Sequence, residues 1–248
     1  MKSIIKNIAG FICVIIGLNS CENINDVHEE YLKRGEEIYT GVVDSLEAYP
    51  GNERIKFTWM INADPRITKT VIYWNDGGDS AVVEVNRTQP GVMRMETNLN
   101  LPENSYIFKF VTKDDEGHKS LNVEKTADIY GSKYVSTLRN REIRTVVAQE
   151  GNSVKLTWSS IESETLLYTM IIYTDNTDPS NPKIVEEKVE NDTSETVLSN
   201  LKAGDEFTVV SVYQPFGSLD TFEASATVEK YFFGVTTPFP WQRLTINI

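Results

Sequence analysis

Two histidines, His28 and His118, are the only side chains of this 248-residue chain whose ordinary titration suits general-base work near neutrality. His28 lies in the polar stretch ENINDVHEEYLKRGEE, so a Ser-His-Asp or Cys-His arrangement would have to use His118, in DDEGHKS. That stretch reads as a hairpin turn, where an exposed histidine is an ordinary occupant. Cys13 and Cys21 are the two cysteines, and no Cys or His pair has ligand spacing, so no metal centre is expected. Carboxylates are plentiful, with Asp114, Asp115 and Glu116 adjacent and Asp76 and Asp79 flanking Gly77 and Gly78. Glycoside hydrolysis needs two carboxylates held at a fixed separation across a cleft, and solvated loop acids explain these as well. TDNTDPSN, residues 174–181, offers oxygens to a hard cation but lacks the alternating DxDxDG order, and a turn capped by Asp and Asn accounts for it equally. The expectation is a chain with no catalytic residue, no metal and no cofactor.

Aromatic residues carry more information. In VIYW, residues 71–74, both faces of a strand would be apolar, Val71 with Tyr73 and Ile72 with Trp74. Either Ile72 and Trp74 bury against a neighbouring domain, or Trp74 is an exposed platform beside the polar turn NDGGD. The second alternative makes Trp74, Asn75, Asp76 and Asp79 a candidate glycan site, since sugar rings present apolar CH patches rimmed by hydroxyls. Core packing is the more common fate of such aromatics. The segment FFGVTTPFPWQRLTINI, residues 232–248, poses the same choice. Its Pro238 and Pro240 break it from a preceding strand, and Phe239 and Trp241 either fold back on the protein or meet a partner by strand addition.

The elements that position these residues are strands. Arg54 to Trp59 alternates, with Ile55, Phe57 and Trp59 on one face, and Val154, Leu156 and Trp158 repeat the pattern. PGNERIKFTW returns as EGNSVKLTW, TKTVIYW as YTMIIYT, and ETNLNLPENSYIFKFV as ETVLSNLKAGDEFTVVSV, in the same order. This is an internal duplication. Short strand-like runs separated by NDGGD, QPG, LPEN, DDEG and LKAGD, with a convincing helical period nowhere long, indicate an all-β antiparallel sandwich. Val27 to Ile38 is the one stretch read as a short helix.

A Trp ending the second strand, an apolar third strand with a Tyr, then Leu-x-x-Gly before an aromatic and an alternating strand, resembles the fibronectin type III pattern. Leu201, Gly204 and Phe207 carry it in the second copy, and Leu101, Pro102 and Tyr106 in the first, where Asn104 stands in for the glycine. The resemblance implies that Tyr106 makes a corner hydrogen bond that Phe207, without a hydroxyl, cannot. It implies two sandwiches, roughly 41–130 and 131–232, followed by an aromatic tail, 233–248.

The N-terminus MKSIIKNIAGFICVIIGLNSC has Lys2 and Lys6 before an apolar run from Ile8 to Leu18, too short to span a bilayer as a permanent helix. It reads as a signal peptide over residues 1–20. LNSC resembles the lipobox of bacterial lipoproteins, which implies cleavage before Cys21 and diacylation of its thiol. Lipidation also removes an anomaly, since a secreted chain would otherwise keep one unpaired thiol. Residues 21–40 are a polar, mostly acidic tether. Loss of residues 1–20 takes two lysines and no acid, moving the formal charge from −12 to −14, which disfavours nucleic acid as a partner.

GEEIYTGVVDSLEAYPGNERIKFTW, ITKTVIYWNDGGDS and YVSTLRNREI together resemble a family of bacterial surface lipoproteins of unknown function, domain of unknown function 4998, over most of residues 35–233. The resemblance implies an outer-membrane lipoprotein, exposed at the cell surface or facing the periplasm. The expected function is noncatalytic: a lipid-anchored binding or spacer protein with glycan as the favoured ligand, or a structural or adhesive protein holding another envelope protein through its tail.

Overall fold

The computed structural model describes residues 38–230, apart from 162, 202 and 203. The signal peptide, Cys21, the helix expected over Val27 to Ile38 for all but its last residue, and Phe239 and Trp241 lie outside the described residues.

Seven strands form a first sandwich: β1 Val43–Pro50, β2 Arg54–Ile61, β3 Lys69–Trp74, β4 Asp79–Glu84, β5 Met93–Asn100, β6 Asn104–Lys113 and β7 Val123–Ile129. They make a three-stranded sheet, β1-β2-β5, and a four-stranded sheet, β4-β3-β6-β7, with antiparallel pairing throughout. This three-on-four arrangement is the fibronectin type III sandwich. The alternation in β2 is what closes it. Ile55, Phe57 and Trp59 are buried and face Phe108 and Phe110 of β6, whose rings meet Phe57 edge-on at 4.7 and 5.1 Å.

The duplicated segment builds the second sandwich. Its strands are β8 Ile143–Gln149, β9 Ser153–Trp158, β10 Leu166–Asp175, β11 Lys183–Glu190, β12 Glu195–Leu198, β13 Glu206–Tyr213, β14 Phe222–Glu223 and β15 Thr227–Lys230. One sheet is β12-β9-β8, and the other is β11-β10-β13 with β14 and β15 both paired to β13. Val154, Leu156 and Trp158 enter this core as their counterparts enter the first.

Between the sandwiches runs one short helix, α1 Ser132–Thr137. It is too short to show a period in sequence, and a carboxylate starts it: Glu103, from the β5–β6 turn, accepts the N–H groups of Lys133 and Tyr134 at 2.6 Å each. The junction is then locked twice. Rings of Tyr130, Tyr134 and Phe222 lie 4.8 to 5.7 Å apart. The Asp220 carboxylate, on the loop after β13, accepts from Arg54 Nε at 2.9 Å, Arg54 Nη2 at 2.5 Å and the Asn52 N–H at 2.8 Å, while Leu219 N–H donates to the Pro50 carbonyl at 2.7 Å. A Cβ on Gly51 would stand 2.3 Å from Asp220 Oδ2, so glycine is needed there for close approach.

Candidate functional site

β3 delivers Trp74 to one corner of the first sandwich. Ile72 is fully buried and Trp74 half-buried, both toward the core of their own sandwich, with the Trp74 ring 6.3 Å from Phe108. This is the core packing that is the more common fate of such aromatics, within the sandwich that carries the strand. The strand lies between its own core and an outer sheet face, so neither burial against a neighbouring domain nor a fully exposed platform is needed to explain its two apolar sides.

The turn after Trp74 is built by residue type. Asn75, Asp76 and Gly77 take φ values of 50°, 53° and 87°, three left-handed residues in succession. Asn and Asp tolerate that region and glycine enters it freely. Asn75 Nδ2 donates to Asp79 Oδ2 at 2.6 Å across the turn, which fixes the carboxamide. Asp76 and Asp79 are exposed. Beside the turn is a shallow depression of about 250 Å³ lined by Trp74, Asn75, Asp76, Tyr106, Lys109 and Glu124, among others. Tyr106 is held by the corner bond expected of it, its hydroxyl donating to the Pro102 carbonyl at 3.0 Å. Asn104 does not replace the glycine of the second copy. It begins β6, opposite Ile129, without positive φ, whereas Gly204 turns at φ 90°. The first copy makes a shorter turn.

His118 is less exposed than a hairpin turn suggests. Its Nδ1 lies 2.7 Å from Asp114 Oδ2, and Asp114 is buried, its Oδ1 accepting the backbone N–H groups of Glu116 and His118 at 3.0 and 2.8 Å. Burial opposes ionisation of Asp114, but its bonds from His118 and from the two backbone N–H groups prevail, and its pKa is lowered. Donor atoms of Asp114, Glu116 and His118 lie within 4.8 Å of one another. Sequence spacing gave no hint of this cluster, because the hairpin rather than a ligand motif assembles it. Among the described residues no hydroxyl or thiol is hydrogen-bonded to His118, and the bonds that Asp114 does make organise the turn.

The carboxylates of TDNTDPSN are also spent on turns. Asp175 Oδ1 accepts from Thr177 N at 2.8 Å and Oγ1 at 2.5 Å, and Asp178 Oδ1 from Ser180 N at 3.0 Å and Oγ at 2.5 Å. Those bonds lower both pKa values. The oxygens serve successive Asx turns and do not converge, in line with the capped-turn alternative.

The profile of the DUF4998 family, a domain of unknown function, matches residues 21–222. No curated protein matches the chain. A two-domain fibronectin type III segment from chicken tenascin is 14% identical over 76% of this chain and 97% of its own, with a TM-score of 0.31. The FN1–FN3 domains of chicken CNTN1 are 14% identical over 78% of this chain and 66% of theirs, with a TM-score of 0.35.

Proposed function

The chain belongs to the DUF4998 family, and from that premise we propose that it is a noncatalytic binding or spacer protein, held to a membrane through lipidated Cys21, with glycan as its ligand. The depression at the Trp74 corner is the observation that carries the glycan assignment. Trp74, Tyr106 and Ile107 supply apolar surface for the CH face of a pyranose, and Asn75, Lys109 and Glu124 supply a donor and acceptor rim. The floor is preorganised. Phe108 backs the indole, the corner bond holds Tyr106, and Asp79 holds the Asn75 carboxamide, so binding would order few side chains.

The test is a panel of oligosaccharides and polysaccharides titrated calorimetrically against the chain from residue 33 onward, with and without calcium. Trp74→Ala and Lys109→Ala should each weaken a saturating ligand by about tenfold or more, as expected for loss of roughly 1.4 kcal/mol. Lys109 is a partly exposed surface residue, so its variant separates ligand loss from misfolding. Binding that ignores both variants would move the ligand elsewhere, and silence across the panel would leave the spacer role alone. Anchoring is checked separately, since Cys21→Ala should release the protein from membranes.

A further inference from the structure

An antiparallel sheet that packs on one side ordinarily shows polar residues on the other. The larger sheet of the second sandwich does so only in part, since a patch of apolar residues shares that side with Tyr168, Thr174 and Thr208. Ile171 and Tyr173 of β10 and Phe207 and Val209 of β13 point into the core, so alternation sends Met170, Ile172 and Val210, each half-buried, outward, while Val212 on the same side is already buried. Met170 stands opposite Val210 across the strands. β15 adds Val228, 58% exposed, and β11 adds Ile184, 74% exposed. Charge borders this patch: Glu186 and Lys188 of β11 stand opposite Ile172 and Met170, the Lys188 amine lies 4.5 Å from the Tyr168 ring, and the pairs Lys188–Glu190 at 2.8 Å and Lys230–Glu206 at 3.2 Å flank it. The equivalent face of the first sandwich is more fully covered, although a lysine lies over a tyrosine ring on both. Val71 and Val111 are buried there, and the Lys113 amine bonds the Tyr73 hydroxyl at 2.8 Å and also sits over its ring.

We propose that the apolar outer face of the second sandwich is a docking surface for this chain's own residues 231–248. β15 is the edge strand of that sheet and passes directly into residue 231, so the segment begins at the rim of the face with no linker to span. Its chemistry matches: Phe232, Phe233, Phe239, Trp241, Leu244 and Ile246 are apolar, and its one charged side chain, Arg243, would meet a margin that carries Glu186, Glu190 and Glu206. Pro238 and Pro240 have no N–H to extend the ladder of β15, which favours a path across the face over prolonged edge pairing. Reach is ample, because eighteen residues extend to about 60 Å and a sheet of four strands at roughly 4.8 Å spacing is less than about 20 Å wide.

The test is fluorine NMR of the full chain carrying 5-fluorotryptophan, with the Trp241 resonance assigned by Trp241→Phe and its exposure read with a soluble paramagnetic quencher. Trp241 should be protected to the same degree as Trp158, and Met170→Lys with Val210→Lys should raise its quenching at least fivefold while the Trp158 resonance stays put. Should Trp158 move, showing a disturbed fold, Val228→Lys at the exposed edge strand serves in place of the pair and should release Trp241 likewise. Val82→Lys, at an exposed position on β4 of the first sandwich, should leave the protection of Trp241 unchanged. An exposed Trp241 in the parent chain overturns the proposal, as does protection that outlasts the outer-face substitutions. Protection that appears only at concentrations where the chain dimerises, or only with envelope membranes added, overturns it in favour of a second copy or a foreign partner.

Discussion

The two sandwiches place tryptophans at one position and treat their indole N–H groups differently. Trp158 donates to Thr196 Oγ1 at 2.9 Å, and the Arg141 guanidinium lies 5.4 Å from its ring. Trp59 is equally buried, but its Nε1 has no partner among the described residues, and its ring packs edge-on against Phe110 at 5.3 Å. Thr97 occupies the register of Thr196, opposite Phe57 as Thr196 is opposite Leu156, without taking up that bond. The corner diverges in the reverse sense, since Tyr106 has its bond and Phe207 has no hydroxyl to make one. Duplication kept the alternation of strands, which any apolar residue of suitable size satisfies. Single polar bonds drifted, because each is worth only about 1 kcal/mol and can be exchanged for ring packing.

The largest break in this comparison should come from the aromatic core. Phe108→Ala is expected to cost about 3–5 kcal/mol, against about 0.5–1.5 kcal/mol for Ile171→Val in the second core, and calorimetry of the Phe108→Ala chain should show the first sandwich melting ahead of the second. Next, Thr196→Val leaves a buried indole N–H without its acceptor and should cost about 1–3 kcal/mol by urea denaturation. Thr97→Val should stay within roughly 0.5 kcal/mol, and an equal loss would show that Trp59 does use its threonine. Tyr106→Phe should cost about 0.5–1.5 kcal/mol and make the two corners alike.

The smallest effect is at the junction. The Asp220 pKa is lowered, first by its side-chain bonds to Arg54 and also by the Asn52 N–H, with burial opposing. Its contribution is therefore complete above the unfolded carboxylate value of about 3.9 and is lost as pH falls through the lower folded value. Small-angle scattering should show a fixed arrangement of the pair near neutral pH that loosens below about pH 4. Gly51→Ala, which puts a methyl against Asp220, should loosen it at neutral pH while both sandwiches stay folded.

Much of the fold was legible because strands announce themselves by local alternation. Ile55, Phe57 and Trp59 could be placed on one face from spacing alone, and the repeat placed their counterparts. Tyr106 was legible by pattern as well. The junction was not. Asp220 and Arg54 are separated by most of the chain, each is an ordinary surface residue in its own segment, and neither periodicity nor motif connects them. α1 was missed because a Glu103 carboxylate from another turn starts it. At the candidate site the residue types of the Trp74 turn were legible, but how deep the indole sits depends on Phe108, which β6 brings alongside only when the sheet forms.

The locked junction also sets how two surfaces on this chain would act together. Were the sandwiches joined by a loose linker, a ligand held by one would be presented to the other at an effective concentration set by random-coil statistics. With Asp220, Arg54 and the ring trio in place, the separation and angle are constants of the fold. A ligand held at the Trp74 corner would therefore stand at a set distance and angle from anything the second sandwich carries. The junction would thus act as a ruler.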